Sequence, residues 1–188
     1  MTELVDLFER SVQEFDARVK QIKDNQWELP TPCSDWSVRD LVNHLVYEDV
    51  WAPPLLEGKT VEEVGDQFEG DLLGDAPFDA WDSASRGVMQ AARRSGAMED
   101  IVHLSFGDVP GSEYLGQLLN DHVIHAWDLA RAIGADDKLD PDLVEFLYEG
   151  AVPREEMLKA SGAFGNKVEP PSGADTQTKL LAIMGRRA

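Results

Sequence analysis

The chain is short of cysteine, of basic residues and of long apolar runs, and each shortage closes off a class of protein. Its one cysteine, Cys33, has no partner for an intrachain disulfide, so packing has to hold the fold and a reducing compartment is expected. No stretch approaches the roughly 18 consecutive apolar residues that a membrane helix requires. The N-terminus has no basic start leading into an apolar run, so no signal peptide is expected and the cytoplasm is the default location. Lysine and arginine number 17 against 36 aspartates and glutamates, a formal net charge of −19. Nucleic acid and anionic membrane surfaces repel such a chain, so neither is an expected partner. There is no glycine-rich phosphate loop, no internal repeat, and no Ser/His/Asp order that reads as a hydrolase triad.

What remains is a chain of 188 residues with 43% hydrophobic content, enough for one domain over 1–188 with a proper core. Its patterning is helical. Leu4, Phe8, Val12, Phe15, Val19 and Ile22 step by four and three, predicting a helix over 3–23 with Thr2 as its cap. Pro30-Thr31-Pro32 is extended, because the residue before a proline avoids helical geometry. Ser37 and Asp40 form a capping-box pattern ahead of Val38, Leu41, Val42, Leu45 and Val46, a helix expected to stop at Pro53-Pro54. A short helix is expected near Val61. Phe78 to Arg94 gives a third long helix, with Trp81, Ala84, Val88 and Ala91 on one face.

Asp100 to Phe106 suits an extended segment, and Gly107-Asp108 with Pro110-Gly111 suits a turn, so a small hairpin is expected there. Ser112 is expected to open the fourth long helix, with stripe residues Leu115, Leu118, Leu119, Ala126, Leu129 and Ile133, and Gly134 to stop it. Asp140-Pro141 starts a fifth helix and another short one follows Pro153. Residues 162–174 read as a loop, and Asp175 caps a last helix ending at Gly185. The fold class is therefore all-α: a four-helix bundle with extra short helices and a small hairpin. Exposed faces of such a bundle leave room for a homodimer.

Two of the helices carry acid and imidazole groups at the edge of their apolar stripes. Asp121 and His125 are one turn apart, and Asp128 lies close to the same line. His44 sits at the edge of its own stripe, with Glu48 one turn on. A carboxylate and an imidazole one turn apart can clip one ion, and a third donor from a facing helix leaves positions open for water or substrate. Such a set, His44, Asp121 and His125, suits zinc, and ligand type alone admits nickel, iron or manganese. The plainer reading makes Asp121 and His125 a helix-surface pair, joins Asp128 to Arg131, and leaves Glu48 a solvated acid. His122 falls inside the stripe and reads as a hydrogen-bonded core histidine. His103 reads as structural or exposed. Cys33 reads as a small packed residue, its thiol pKa raised by Asp35. The tryptophans read as core.

The segment Trp27-Glu28-Leu29-Pro30-Thr31-Pro32-Cys33-Ser34-Asp35-Trp36-Ser37-Val38-Arg39-Asp40-Leu41-Val42-Asn43-His44-Leu45 carries more than spacing, as does His125-Ala126-Trp127-Asp128-Leu129-Ala130-Arg131-Ala132-Ile133-Gly134. Together they resemble the mycothiol-dependent maleylpyruvate isomerase N-terminal family, within the DinB-like/YfiT-like superfamily, and most of all its single-domain metal-binding branch. The tail, from Phe164-Gly165 through Lys179-Leu180-Leu181-Ala182 to Gly185-Arg186-Arg187, is similar to that branch too. The resemblance implies a DinB-like four-helix bundle with a divalent metal, assigned as zinc in the isomerase. It implies His44, Asp121 and His125 as the ligands, with Asp121 where the isomerase has a longer glutamate, so that Glu48 or Asp128 can assist. It also implies mycothiol as a cosubstrate whose sulfur the metal holds as a thiolate. The isomerase has a further C-terminal domain, so the bundle and the metal site are expected to carry over better than the isomerisation itself. A basic group for an acidic substrate is to be sought at Arg39 or Arg131.

Three functions stay open at this point. One is a metal-dependent thiol transferase or isomerase. Another is a metal- or small-molecule-binding bundle without turnover. The third is a structural or interaction protein whose metal site has decayed.

Overall fold

Four long helices surround one core: α1 (Thr2–Val19), α2 (Val38–Leu56), α4 (Pro77–Ala92) and α5 (Gly111–Ile133). The computed structural model describes residues 2–157 and 168–188. Helix α1 packs along α5, α5 against α2, and α2 along α4, with a thinner α1–α4 contact closing the ring. The expected phases are the observed ones. Phe8, Phe15, Leu41, Leu45, Trp81, Leu115, Leu118 and Leu119 all turn inward and are almost wholly shielded from solvent. A side chain of that size contributes roughly 1.5–3 kcal/mol when fully buried, which is what commits each helix to one face.

The boundaries are chemical. Ser37 Oγ accepts from Asp40 N–H at 3.2 Å while Ser37 N–H donates to Asp40 Oδ2 at 2.9 Å, the capping box expected for α2. The four-residue α3 (Val61–Val64) is opened by a second capping box, Thr60 with Glu63. Gly134, in the left-handed region at φ 72°, ends α5.

Four expectations about element ends need correcting. Helix α2 does not stop at Pro53-Pro54 but carries both prolines inside its last turn. Proline removes a donor and crowds the preceding turn, yet Ala52, Leu55 and Leu56 are at most 3% exposed and hold that turn to the core. Helix α1 is already helical at Thr2 and ends at Val19, although Ile22 beyond it is still buried. The hairpin is present, but β1 (Ile101–Leu104) and β2 (Gly107–Pro110) meet at Ser105-Phe106. Gly107 and Asp108 are thus strand, not turn. Finally α5 starts at Gly111, with Pro110 at the cap position and no side-chain cap, so Ser112 is inside the helix.

A C-terminal pair packs beside the ring. Helix α6 (Pro141–Ala151) is capped by Asp140 and followed by a 3-10 turn, Val152–Arg154. The helix expected after Pro153 is represented by helical residues 155–157, and residues 158–167 lie outside the described residues. These include Phe164-Gly165 and the first half of the expected 162–174 loop. Helix α7 (Thr176–Ile183), capped by Asp175 as expected, packs on α6 and buries Leu180 and Leu181. Gln177 fixes it in place, accepting from Leu139 N–H at 2.9 Å and donating to Asp137 O at 2.9 Å. That anchorage brings the segment after α7 back to α5.

Candidate metal centre

The α2–α5 contact places His44 opposite Asp121 and His125. His44 Nε2 lies 3.4 Å from Asp121 Oδ2, and the His44 and His125 rings stand edge to face at 5.2 Å between centroids. One donor atom from each of His44, Asp121 and His125 falls within 4.8 Å of the other two. The reading of Asp121 and His125 as a surface pair therefore fails, since His125 is 7% exposed and the acid facing His44 is Asp121.

Of the three donors, His125 is held from behind by a hydrogen bond. His125 Nδ1 lies 3.0 Å from Asp128 Oδ2 and donates to it, because an ionised carboxylate only accepts. That bond orients the ring, in the arrangement by which a carboxylate positions a metal-binding imidazole. Asp128 is wholly buried and does not pair with Arg131, which instead bonds Asp137 at 3.0 Å. Its cation is Arg186, with Nη2 at 2.8 Å from Oδ2 and Nε at 3.3 Å from Oδ1. Behind His44, Glu48 Oε1 is 4.0 Å from Nδ1.

Burial and charge set the protonation of the group. Burial works against a charged His44, but Asp121 and Glu48 outweigh it and raise its pKa. Burial likewise opposes ionisation of Asp121, and His44 and His125 outweigh it, so its pKa falls. Glu48 is not a freely solvated acid: burial and the neighbouring Asp121 charge push it up to about 7, against the pull of His44. Asp128 is lowered despite burial, through His125 and Arg186.

Three participants were not assigned to the site from sequence. Trp36 lies over both imidazoles, at 4.9 Å from His44 and 5.8 Å from His125 between ring centroids. It reaches them because the 30–37 loop is tightly closed: Thr31 N–H donates to Trp36 O at 3.0 Å, and Asp35 takes the left-handed conformation at φ 67°, which aspartate tolerates better than most residues. Cys33 Sγ on the same loop is 3.2 Å from Asp128 Oδ2 and 3.8 Å from His125 Nδ1. Its thiol is pushed up to about 12 by burial and by Asp128, not by Asp35. Cys33, His125 and Asp128 thereby form a second set of donors that shares His125 with the first. The third is Arg186, far along the chain, for which the tail motif was the available signal.

The other readings hold. His122 is wholly buried, with Nδ1 donating to Leu118 O at 2.8 Å. His103 pairs across the hairpin with Asp108 at 2.8 Å. Arg39, bonded to Asp71 and Gly74 O, is engaged away from the imidazoles. Trp51, Trp81 and Trp127 are core, and Trp27 packs on Phe78. Among the described residues no helix is long and apolar enough to cross a membrane.

Known proteins resemble this chain at three levels. Two uncharacterized proteins from two strains of Mycobacterium tuberculosis are each 28% identical over 184 residues, covering 95% of this chain and 94% of theirs. The crystal structure of the mycothiol-dependent maleylpyruvate isomerase superposes with a TM-score of 0.64 at 18% identity, over 84% of this chain and 72% of that one. A histidine-to-alanine mutant of that enzyme gives 0.66 at 17% identity, over 86% and 72%. At such identities the structures establish a common fold. The family model described as the mycothiol maleylpyruvate isomerase N-terminal domain matches residues 8–130. Since that span covers more than half of the chain, from α1 almost to the end of α5, the chain belongs to the mycothiol maleylpyruvate isomerase N-terminal domain family.

Proposed function

We propose that this protein binds a divalent metal through His44, Asp121 and His125 and uses it on a small thiol of the mycothiol class. The observation that carries the reading is the meeting of three donor atoms within 4.8 Å on two packed helices, with Asp128 behind one of them. The donors fit the group: two imidazoles and a carboxylate suit zinc and leave positions open. Nickel, iron and manganese are compatible with the same atoms. When bound, the metal would supply a Lewis acid that holds a thiol sulfur as thiolate.

The chain's own residues do the rest. Asp128 keeps the proton on His125 Nδ1, so Nε2 is presented to the metal. Asp121 is shorter by a methylene than a glutamate and is brought within reach by the close α2–α5 packing. Trp36 covers the imidazole faces and keeps bulk water from that side. In this reading the reaction is a thiol-dependent transfer or isomerisation, with mycothiol as cosubstrate.

A second reading, metal or thiol binding without turnover, is favoured by the arginines. Arg39 is engaged with Asp71 and Gly74 O, and Arg131 with Asp137, so neither candidate base is directed to the site for an acidic substrate.

Metal analysis of the zinc-loaded chain and of His125→Ala tests the proposal. Wild type is expected to retain roughly one metal per chain and the variant far less. A metal-free wild type after metal-replete purification sinks both readings in their metal-binding form. A thiol-transfer assay with and without mycothiol then separates them, since only the first expects mycothiol-dependent turnover.

A further inference from the structure

His125 belongs to two candidate donor sets. Because Nδ1 is engaged by Asp128, the set with His44 and Asp121 is left the Nε2 side of the ring. The other, with Cys33 and Asp128, uses the Nδ1 face. A thiol, an imidazole nitrogen and a buried carboxylate would together form a strong site for a thiophilic cation. That side already holds a positive charge. Arg186 Nη2 donates to Asp128 Oδ2 at 2.8 Å and to Cys33 Sγ at 3.4 Å, and Nη1 donates to Met184 O at 2.7 Å. The arginine side chain is only 12% exposed, so the guanidinium is a fixed part of the site. Its planar fork gives it the directional hold that a lysine ammonium would lack.

We propose that Arg186 is a positioning residue that reserves His125 for the His44/Asp121 set, by filling the Cys33/Asp128 side with a resident guanidinium. This rests on the metal-binding reading above. With Arg186 in place, Asp128 is neutralised and keeps its hydrogen bond from His125 Nδ1–H, so the ring offers Nε2. Without it, Asp128 becomes a buried carboxylate lacking its cation, which is costly unless another cation arrives. A divalent metal then binds Cys33 Sγ, Asp128 and His125 Nδ1. The sulfur–metal bond replaces the S–H bond and the thiol proton leaves to buffer, while the imidazole proton moves from Nδ1 to Nε2 so that the ring stays neutral, and no oxidation state changes. The segment after α7 thus governs which face of one imidazole carries the metal.

Cobalt(II) added to the metal-stripped full-length chain reads this directly, because thiolate ligation gives a near-ultraviolet charge-transfer band that nitrogen and oxygen ligands do not. Wild type is expected to bind cobalt without that band. Arg186→Ala is expected to gain the band and to lose about tenfold or more in affinity for binding without thiolate. Adding Cys33→Ser to Arg186→Ala should erase the band, and Arg186→Lys, which restores a cation, should suppress it. Should Arg186→Ala fail to fold in circular dichroism, Arg186→Gln carries the same expectation with the side-chain length kept. An arginine variant with the wild-type spectrum and affinity overturns the proposal, as does a thiolate band in wild type. A wild type that binds no cobalt overturns the metal-binding reading itself, and is recognised before any variant is measured.

Discussion

His122 Nε2 faces Asp49 Oδ1 at 3.4 Å, with neither side chain exposed to solvent. The Phe8, Phe15 and Trp81 rings pack around the imidazole, so the pair sits in an apolar setting. Neither the facing nitrogen nor either Asp49 oxygen has a hydrogen bond of good geometry among the described residues. Burial opposes a charged His122, but attraction to Asp49 outweighs it and raises its pKa. Removing one member of such a pair strands the other in the core, which typically costs about 3–5 kcal/mol, whereas replacing both by apolar groups is often near neutral. His122→Phe and Asp49→Leu are each expected to be strongly destabilising in urea unfolding. The double variant should recover at least about 1 kcal/mol relative to the sum of the singles. Strict additivity would show that the two groups do not interact.

Trp36 packs at a tilt against two proposed ligands, and among the described residues no other tryptophan has a ring contact with either. A paramagnetic ion at His44 and His125 should therefore quench Trp36 emission. Stepwise addition of nickel or cobalt to the stripped protein is expected to lower tryptophan fluorescence to a plateau. Trp36→Phe should remove most of that change while still binding metal by equilibrium dialysis. Equal quenching in the variant would place the ion elsewhere.

The sequence was most readable where the cause was local. Ser37 and Asp40 lie one turn apart and cap each other, and the inward phases of α1, α2 and α5 follow from side-chain periodicity. His122 could be separated from His125 because one falls inside the stripe and the other at its edge. Misreadings arose where a distant contact outweighed a local preference. Pro53-Pro54 looked like a stop, but burial of Leu55 and Leu56 carries the helix through. Gly107-Asp108 looked like a turn, but cross-strand pairing of Asp108 with His103 makes it strand. Asp128 looked like a partner for nearby Arg131, while its real partner, Arg186, is 58 residues away. No periodicity connects those two, because the link depends on α7 packing against α6.

Gly111 is required by a close approach at the start of α5. A Cβ there would lie 1.9 Å from Ala97 O and 3.3 Å from Leu56 Cδ2. The backbone cannot yield easily, since Gly111 N–H donates to Asp100 O at 2.9 Å and Ser112 N–H to Met98 O at 3.0 Å. Gly111→Ala is expected to cost about 3 kcal/mol in chemical denaturation, the upper end of the usual range for overpacked sites, because the clash is with backbone. Gly116, on the same helix, has nothing within 4 Å of an added Cβ. Gly116→Ala should instead stabilise by about 0.4–1 kcal/mol, through the smaller entropy of the unfolded chain. Equal effects of the two substitutions would remove the steric account.

Arg10 joins α1 to the start of α6. Its Nη2 lies 2.6 Å from Asp140 Oδ1 and 2.9 Å from Asp142 Oδ2, and Asp140 also caps α6 by accepting from Asp142 N–H. Burial works against ionised Asp140, yet Arg10 and the helix N–H groups outweigh it and lower its pKa. A carboxylate with a depressed folded pKa adds stability that is fully present above its unfolded value. That stability is lost as pH falls through the folded value. Arg10 is 39% exposed on its side chain, so solvent screening limits its share to about 0.5–1 kcal/mol. Arg10→Ala should therefore lower stability by that amount at pH 7 and 0.1 M salt, measured by urea unfolding. The gap from wild type should close as pH is brought below 3.8, the ordinary aspartate value. It should also narrow in 1 M salt, where charges are screened within about 3 Å. A gap that persists at low pH and high salt would assign the contribution of Arg10 to packing of its aliphatic stem against α6.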